Sequence, residues 1–294
     1  MRLYRDDLSL YYEQKEDHIV IVEGSHNIEY ARIPEEIDGL PVTKIFKKAF
    51  LACKLLKEVS LPDTVEEIGD FAFALCDHLS LIRFPRKELK LGQNIFKNDN
   101  ELAEIVVGGD EKASALLAAS PVVMNADYLI DTLNAGSAEW YKMWDQKLVD
   151  LLGRKDDEGY HLYVLCGEED LHFDYDQYIV YIQEKKSGLC MLRLLHATNI
   201  SNQVKDKLVN CLAEHVKEEN CNEKGSNPVF DYLIKNHGND EIYYEMLINE
   251  GIITKDNKER LIILLGDRFP QAKAYLINSF NSAGESDFFD GMEL

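Results

Sequence analysis

Between about residues 42 and 107 the apolar positions recur at a constant spacing of 23 residues. Val42, Ile45, Ala49-Phe50, Cys53, Leu56, Val59 and Leu61-Pro62 become Val65, Ile68, Ala72-Phe73, Cys76, Leu79, Ile82 and Phe84-Pro85. A third, decayed copy continues as Leu91-Gly92, Ile95-Phe96, Leu102, Ile105 and Val107. Such a period means one supersecondary unit stacked on itself, because each unit buries its inner face only against its neighbours. In the segment Leu56-x-x-Val59-x-Leu61-Pro62, two-residue alternation puts Val59 and Leu61 on one face of a strand, and Pro62 ends it by withholding a ladder donor. Successive copies therefore predict a narrow parallel sheet.

Ahead of the repeats, Leu8–Gln14 and 18–23, either side of Lys15-Glu16-Asp17, read as a hairpin that caps the open edge of the solenoid. The strand positions that face away from the core are Glu58 and Ser60, Leu81 and Arg83, Glu104 and Val106. They are candidates for recognition, or plain solvated strand residues. Three strands spaced about 4.8 Å apart make a face roughly 10 to 15 Å wide, too small alone for a standard protein interface.

The Ala-Phe pair, the cysteine, the strand ending in Leu-Pro and the following Val65-Glu-Glu-Ile68-Gly69 resemble the unit of the BspA-like leucine-rich repeat family. The preceding Ile33-Pro34-Glu-Glu-Ile37-Asp38-Gly39-Leu40-Pro41-Val42 is similar to the segment that usually leads into such arrays, so the resemblance covers roughly residues 18 to 107. It implies a leucine-rich-repeat solenoid and, for the long exported members, a role as surface adhesins. This chain has about three units and starts Met1-Arg-Leu-Tyr-Arg-Asp-Asp-Leu, acidic where a signal peptide needs an apolar run. A cytoplasmic location is expected, with the cell surface as the alternative.

After Gly108-Gly109-Asp110 helical spacing takes over, which places a boundary near residue 111. Val204, Leu208, Cys211, Leu212 and Val216 form one apolar stripe. Asn227-Pro228 offers a cap with proline at the first helical position, and Phe269-Pro270 a break between helices. At an offset of 53, Leu194-Leu195, Ile200-Ser201, Leu208 and Leu212 meet Leu247-Ile248, Ile253-Thr254, Leu261 and Leu265, with Ser201 or Thr254 placed to cap the next helix. Stacked helical hairpins follow, loosely resembling ankyrin-like or armadillo-like repeats. Trp140 and Trp144, four apart, either fill a core or anchor a partner helix. The fold class is thus α+β: a capped repeat domain over 1–110, an all-α helical-hairpin domain over 111–281 and an unstructured acidic tail over 282–294.

The formal net charge is -21; residues 1–112 hold 15 Lys+Arg against 22 Asp+Glu, and residues 113–294 hold 17 against 31. Such a field repels phosphate backbones and anionic lipid, so the expected partner is a protein with a basic face, not nucleic acid or membrane. The six cysteines form no C-x-x-C pair. Cys211-x3-His215-x5-Cys221 has the nearest thing to metal-ligand spacing but matches no closed zinc pattern, so neither metal nor cofactor is expected. No phosphate-cradling loop, dinucleotide fingerprint, HExxH or GxSxG is present, and spacing does not support pairing Cys166 with His161 or His172. The expectation is a non-enzymatic protein-interaction module binding through the repeat sheet and its junction with the helices. The alternatives are a surface antigen and an enzyme without a recognisable motif.

Overall fold

Each repeat alternates apolar and polar residues over only two to four positions before proline, glycine or a polar turn intervenes, which limits every coil to short strands joined by tight corners. The computed structural model describes residues 1–5, 8–160, 175–221 and 225–289, divided into two compact units, 1–147 and 148–294. The first unit holds β1 (Arg2–Arg5), β2 (Leu8–Gln14), β3 (Ile19–Gly24), β4 (Tyr30–Arg32), β5 (Glu36–Ile37), β6 (Leu40–Ile45), β7 (Glu58–Ser60), β8 (Glu67–Ile68), β9 (Leu81–Phe84), β10 (Lys90–Leu91) and β11 (Glu104–Val107).

These strands build a solenoid of about four turns with two parallel ladders, where a single sheet was expected. One ladder runs β3-β6-β8-β10 and the other β4-β7-β9-β11. The first is hidden in the sequence because β8 and β10 are two residues each, too short to show alternation. The expected hairpin is β2 against β3, with Gln14 opposite Ile19; β1 adds outside β2, while β3 pairs in parallel with β6 and so joins the hairpin to the first ladder.

All the repeated apolar positions from Ala49 to Leu61, and their equivalents one and two periods on, are 6 % exposed or less. Phe50, Phe73 and Phe96 stack with centroids 5.2 and 6.0 Å apart, each contact worth about 0.5–1.5 kcal/mol beyond its burial. Cys53 and Cys76 occupy adjacent rungs as buried free thiols. The corners are hydrogen-bonded from coil to coil as well: Phe50 N donates to Ala72 O and Phe73 N to Ile95 O.

Two left-handed backbone corners recur with the same period. Lys48, Phe71 and Asn94 form one set, and Ala52, Leu75 and Asn98 the other, all with φ between 53° and 66°. Only the third copy has asparagine, which tolerates that conformation; the others each carry about 1–2 kcal/mol of strain that the stacking offsets. Gly69 and Gly92 answer a different need, since a Cβ at either would lie 2.5 or 2.4 Å from a backbone nitrogen of the preceding coil.

The third copy also departs inside the core, where Asp99 follows Cys53 and Cys76 on the same rung. Its Oδ1 accepts from Cys76 N at 2.8 Å, while Oδ2 has no hydrogen-bond partner among the described residues. Burial pushes this carboxyl up to about 8.

The chain then enters α1 (Ser114–Val122) and α2 (Ala138–Leu152). The sequence places a boundary near residue 111, but α1 packs on β11, and the compact units part at 147/148. Trp140 and Trp144 are fully buried: Trp140 Nε1 donates to Leu129 O at 2.8 Å, and Trp144 Nε1 to Leu116 O at 3.0 Å and Ser120 Oγ at 3.1 Å. The pair is core, not a partner anchor.

The second unit contains α3 (Tyr175–Leu195), α4 (Asn202–His215), α5 (Pro228–His237), α6 (Glu241–Asn249), α7 (Lys258–Leu265) and α8 (Pro270–Phe289). Its centre is α3, which packs on α4, α5 and α6. Ser201 caps α4 by accepting from Val204 N, and Asn227 caps α5 by accepting from Phe230 N with Pro228 at the first position. Thr254 does not cap α7; instead Asn257 Oδ1 accepts from Thr254 N at 2.9 Å, so the two halves of the 53-residue echo end differently. The acidic stretch from Ser282 continues α8 as far as Phe289 instead of leaving the helix, because propagation adds a hydrogen bond per residue without a new nucleus.

Candidate functional site

Parallel pairing sets the register of the β4-β7-β9-β11 ladder and sorts its side chains into rows. Ala31, Val59, Ile82 and Ile105 point inward and are buried. The flanking rows are Tyr30, Glu58, Leu81, Glu104 and Arg32, Ser60, Arg83, Val106. Five of the six residues expected on the outward face are partly or fully exposed. Val106 is the exception at 3 % exposure, because α1 packs on β11, the last strand of the ladder.

Two further residues belong to this face. Tyr30, 59 % exposed, and Arg32 sit on β4, the first coil of the ladder. A 23-residue comparison misses them because the first coil is longer: Ala31 pairs with Val59, 28 residues on. At that offset Ile28, Ala31 and Ile33 do align with Leu56, Val59 and Leu61, and that alignment is the signal that finds the strand.

The electrostatics of the face are balanced rather than acidic. Arg83 Nη1 donates to Glu58 at 3.1 Å, with both side chains more than 40 % exposed, so the pair contributes at most about 1 kcal/mol. Beside the face, Lys57 pairs with Glu29 at 2.7 Å. The exposed apolar surface is Tyr30 and part of Leu81, set in one row with Glu58 between them and Glu104 beyond Leu81.

The other ladder carries a groove of 330 Å³ lined by Lys44, Phe46, Lys47, Glu67, Lys90 and the Gly69–Gly92 trough. Lys44 reaches Glu67 at 2.6 Å, and Lys44 and Lys47 each stand 5.9 Å from the Phe46 ring. Phe46 is 39 % exposed at the position where the next two coils have glycine.

The Cys211, His215, Cys221 spacing does not converge. Cys211 Sγ lies 3.9 Å from His215 Nδ1, while Cys221 Sγ accepts from Arg260 Nη1 at 2.6 Å. Among the described residues no group of three or more His, Cys, Asp or Glu side chains is placed to hold a metal ion. His161, Cys166 and His172 lie outside the described residues. Among the described residues, no helix is long and apolar enough to cross a membrane.

Residues 23–112 match the family described as the BspA type leucine rich repeat region. Three solved structures are similar over about a third of the chain. A leucine rich cell surface protein from Faecalibacterium prausnitzii is 25% identical over 36% of this chain and 30% of that one, with a TM-score of 0.31. The leucine rich repeat protein of T. pallidum is 28% identical over 34% of this chain and 62% of its own, TM-score 0.27. A leucine-rich repeat protein from Bacteroides ovatus is 24% identical over 35% and 28%, TM-score 0.31. The chain therefore covers less than two thirds of each of these proteins. None of the curated proteins matches it.

Proposed function

We propose that the first unit is a non-enzymatic protein-binding module whose contact surface is the exposed face of β4-β7-β9-β11. Repeats of this type generally serve as protein-interaction modules. The observation that carries the reading is the row Tyr30, Glu58, Leu81, Glu104: a half-exposed aromatic and a leucine held on rigid strands, with carboxylates between and beside them. Aromatic anchors inside a polar rim are what binding hot spots are made of.

The face supplies contact, and the whole chain supplies steering. With Arg83 facing Glu58 the sheet has little net charge of its own, whereas the chain carries -21, so a partner with a basic face is drawn in at long range. Four strands about 4.8 Å apart span roughly 14 Å, enough for one segment or edge of a partner. The reading places the chain in the cytoplasm, where all six cysteines count as free thiols under non-reducing, denaturing conditions; a Cys53–Cys76 disulfide there would point to export instead.

Site-specific photo-crosslinking in cells tests the surface while the partner is still unidentified. A photoreactive residue at Tyr30 or Leu81 is expected to give one discrete protein adduct, whose yield falls as salt rises in lysate. The same probe at Ile263, 76 % exposed in the second unit, serves as the control. Adducts equal at all three positions, or at Ile263 alone, would reject this face.

A further inference from the structure

In the second unit, α3 and α4 gather four side chains with complementary chemistry. Ser187 and Cys190 lie one turn apart on α3, and Cys211 and His215 one turn apart on α4. His215 Nδ1 is 2.9 Å from Ser187 Oγ and 3.9 Å from Cys211 Sγ, and the packing of α3 on α4 brings Cys190 to bear on Cys211. The two sulfurs differ in surroundings: Cys190 is wholly buried, whereas Cys211 is partly exposed.

The groups that act on Cys211 are Cys190 and Lys186 from α3 and His215 from α4. Lys186 is held in place by Asp156 at 2.7 Å and Arg154 O at 2.6 Å, and Asp156 in turn faces His215. Cys190, followed by His215 and the Lys186 ammonium, holds the Cys211 thiol well below its ordinary value. Burial, followed by the neighbouring Cys211, holds Cys190 well above it. Cys211, partly exposed and beside His215, is thus placed as the attacking sulfur, and buried Cys190 as the one that resolves it.

We propose that Cys211 is an oxidation site for hydroperoxides and that Cys190 resolves it, closing a disulfide between α3 and α4. With hydrogen peroxide as oxidant, the Cys211 thiolate attacks one peroxide oxygen, the O–O bond breaks, and sulfenic acid and hydroxide form. The Cys190 sulfur then attacks the Cys211 sulfur. Its proton and the sulfenic hydroxyl leave as water, so two electrons pass from the two cysteines to the peroxide. His215 is positioned to hold the thiolate in the first step and to carry the proton in the second.

Two measurements on the full-length chain test this. At pH 6, iodoacetamide is expected to label Cys211 roughly ten-fold or more faster than Cys221, also partly exposed, with His215→Asn bringing the two rates together. With hydrogen peroxide, peptide mapping is expected to show a Cys190–Cys211 disulfide, a loss of about 2 Da, and Cys190→Ala a dimedone-trapped sulfenate at Cys211. Labelling of Cys211 no faster than Cys221, or peroxide treatment of the wild-type chain that yields no Cys190–Cys211 link, would overturn the proposal.

Discussion

The two units bury their cores by different rules. In the solenoid each core side chain packs on its own counterpart one period away, as Phe50 on Phe73 and Phe73 on Phe96, so comparing the sequence with itself yields the contact map. In the helical unit the decisive contacts join residues 28 apart, Ser187 with His215, or 39 apart, Cys221 with Arg260, separations unrelated to the 53-residue echo. A repeat makes structure legible and leaves function to the rows that vary. A helix bundle hides its chemistry in tertiary coincidence.

Removing one rung breaks the contrast most sharply. Phe73→Ala takes away both stacking contacts at the middle of the ladder and should cost about 3–5 kcal/mol, read as a lower midpoint in urea unfolding. Hydrogen exchange should then rise at Phe50 and Phe73, whose amides bond to the next coil. A loss confined to the mutated coil would mean that the coils do not depend on one another.

Asp99 tests the same ladder by pH. Its carboxyl titrates at about 8 in the fold against 3.8 as an ordinary group, so the folded chain binds the proton more tightly than the unfolded one. Its contribution is full below about pH 4 and is lost as pH rises toward 8, at no more than about 1.4 kcal/mol per pH unit. Asp99→Cys, which restores the rung, should remove that slope relative to wild type between pH 5 and 8. Parallel stability curves would mean that Asp99 is not buried as a proton-binding group.

A smaller effect sits at the corners. Leu75→Asn places at a left-handed position the residue type that Asn98 already supplies one coil later, and should raise stability by about 1 kcal/mol. Smallest of all, Arg83→Ala should change stability by less than about 1 kcal/mol, since its ion pair with Glu58 is exposed.

Much of the first unit was readable from the sequence: the inward ladders and the outward row at Glu58, Leu81 and Glu104 follow from periods of 2 and 23, and the hairpin from the polar turn at Lys15-Glu16-Asp17. What escaped did so for local reasons. The ladder through β8 and β10 is built from two-residue strands, and Tyr30 lies on a coil five residues longer than the rest. Val106 has the right parity for the surface but sits on the strand where α1 packs. In the second unit the cap at Ser201 was legible, whereas Asn257 displaced Thr254. The sequence shows Cys211 and His215 one turn apart on a helix but gives no sign that Ser187 and Cys190 face them from α3.

The central claim, that the exposed row of the four-stranded ladder recognises a protein, is tested most directly by titration calorimetry with the partner recovered through the Tyr30 crosslink. Three chains suffice: wild type, Tyr30→Ala combined with Leu81→Ala, and Phe46→Ala in the groove of the other ladder. The account predicts that the double variant loses at least roughly ten-fold in affinity, about 1.4 kcal/mol, while Phe46→Ala binds as wild type. Unchanged affinity in the double variant, or a larger loss from Phe46→Ala, would contradict it.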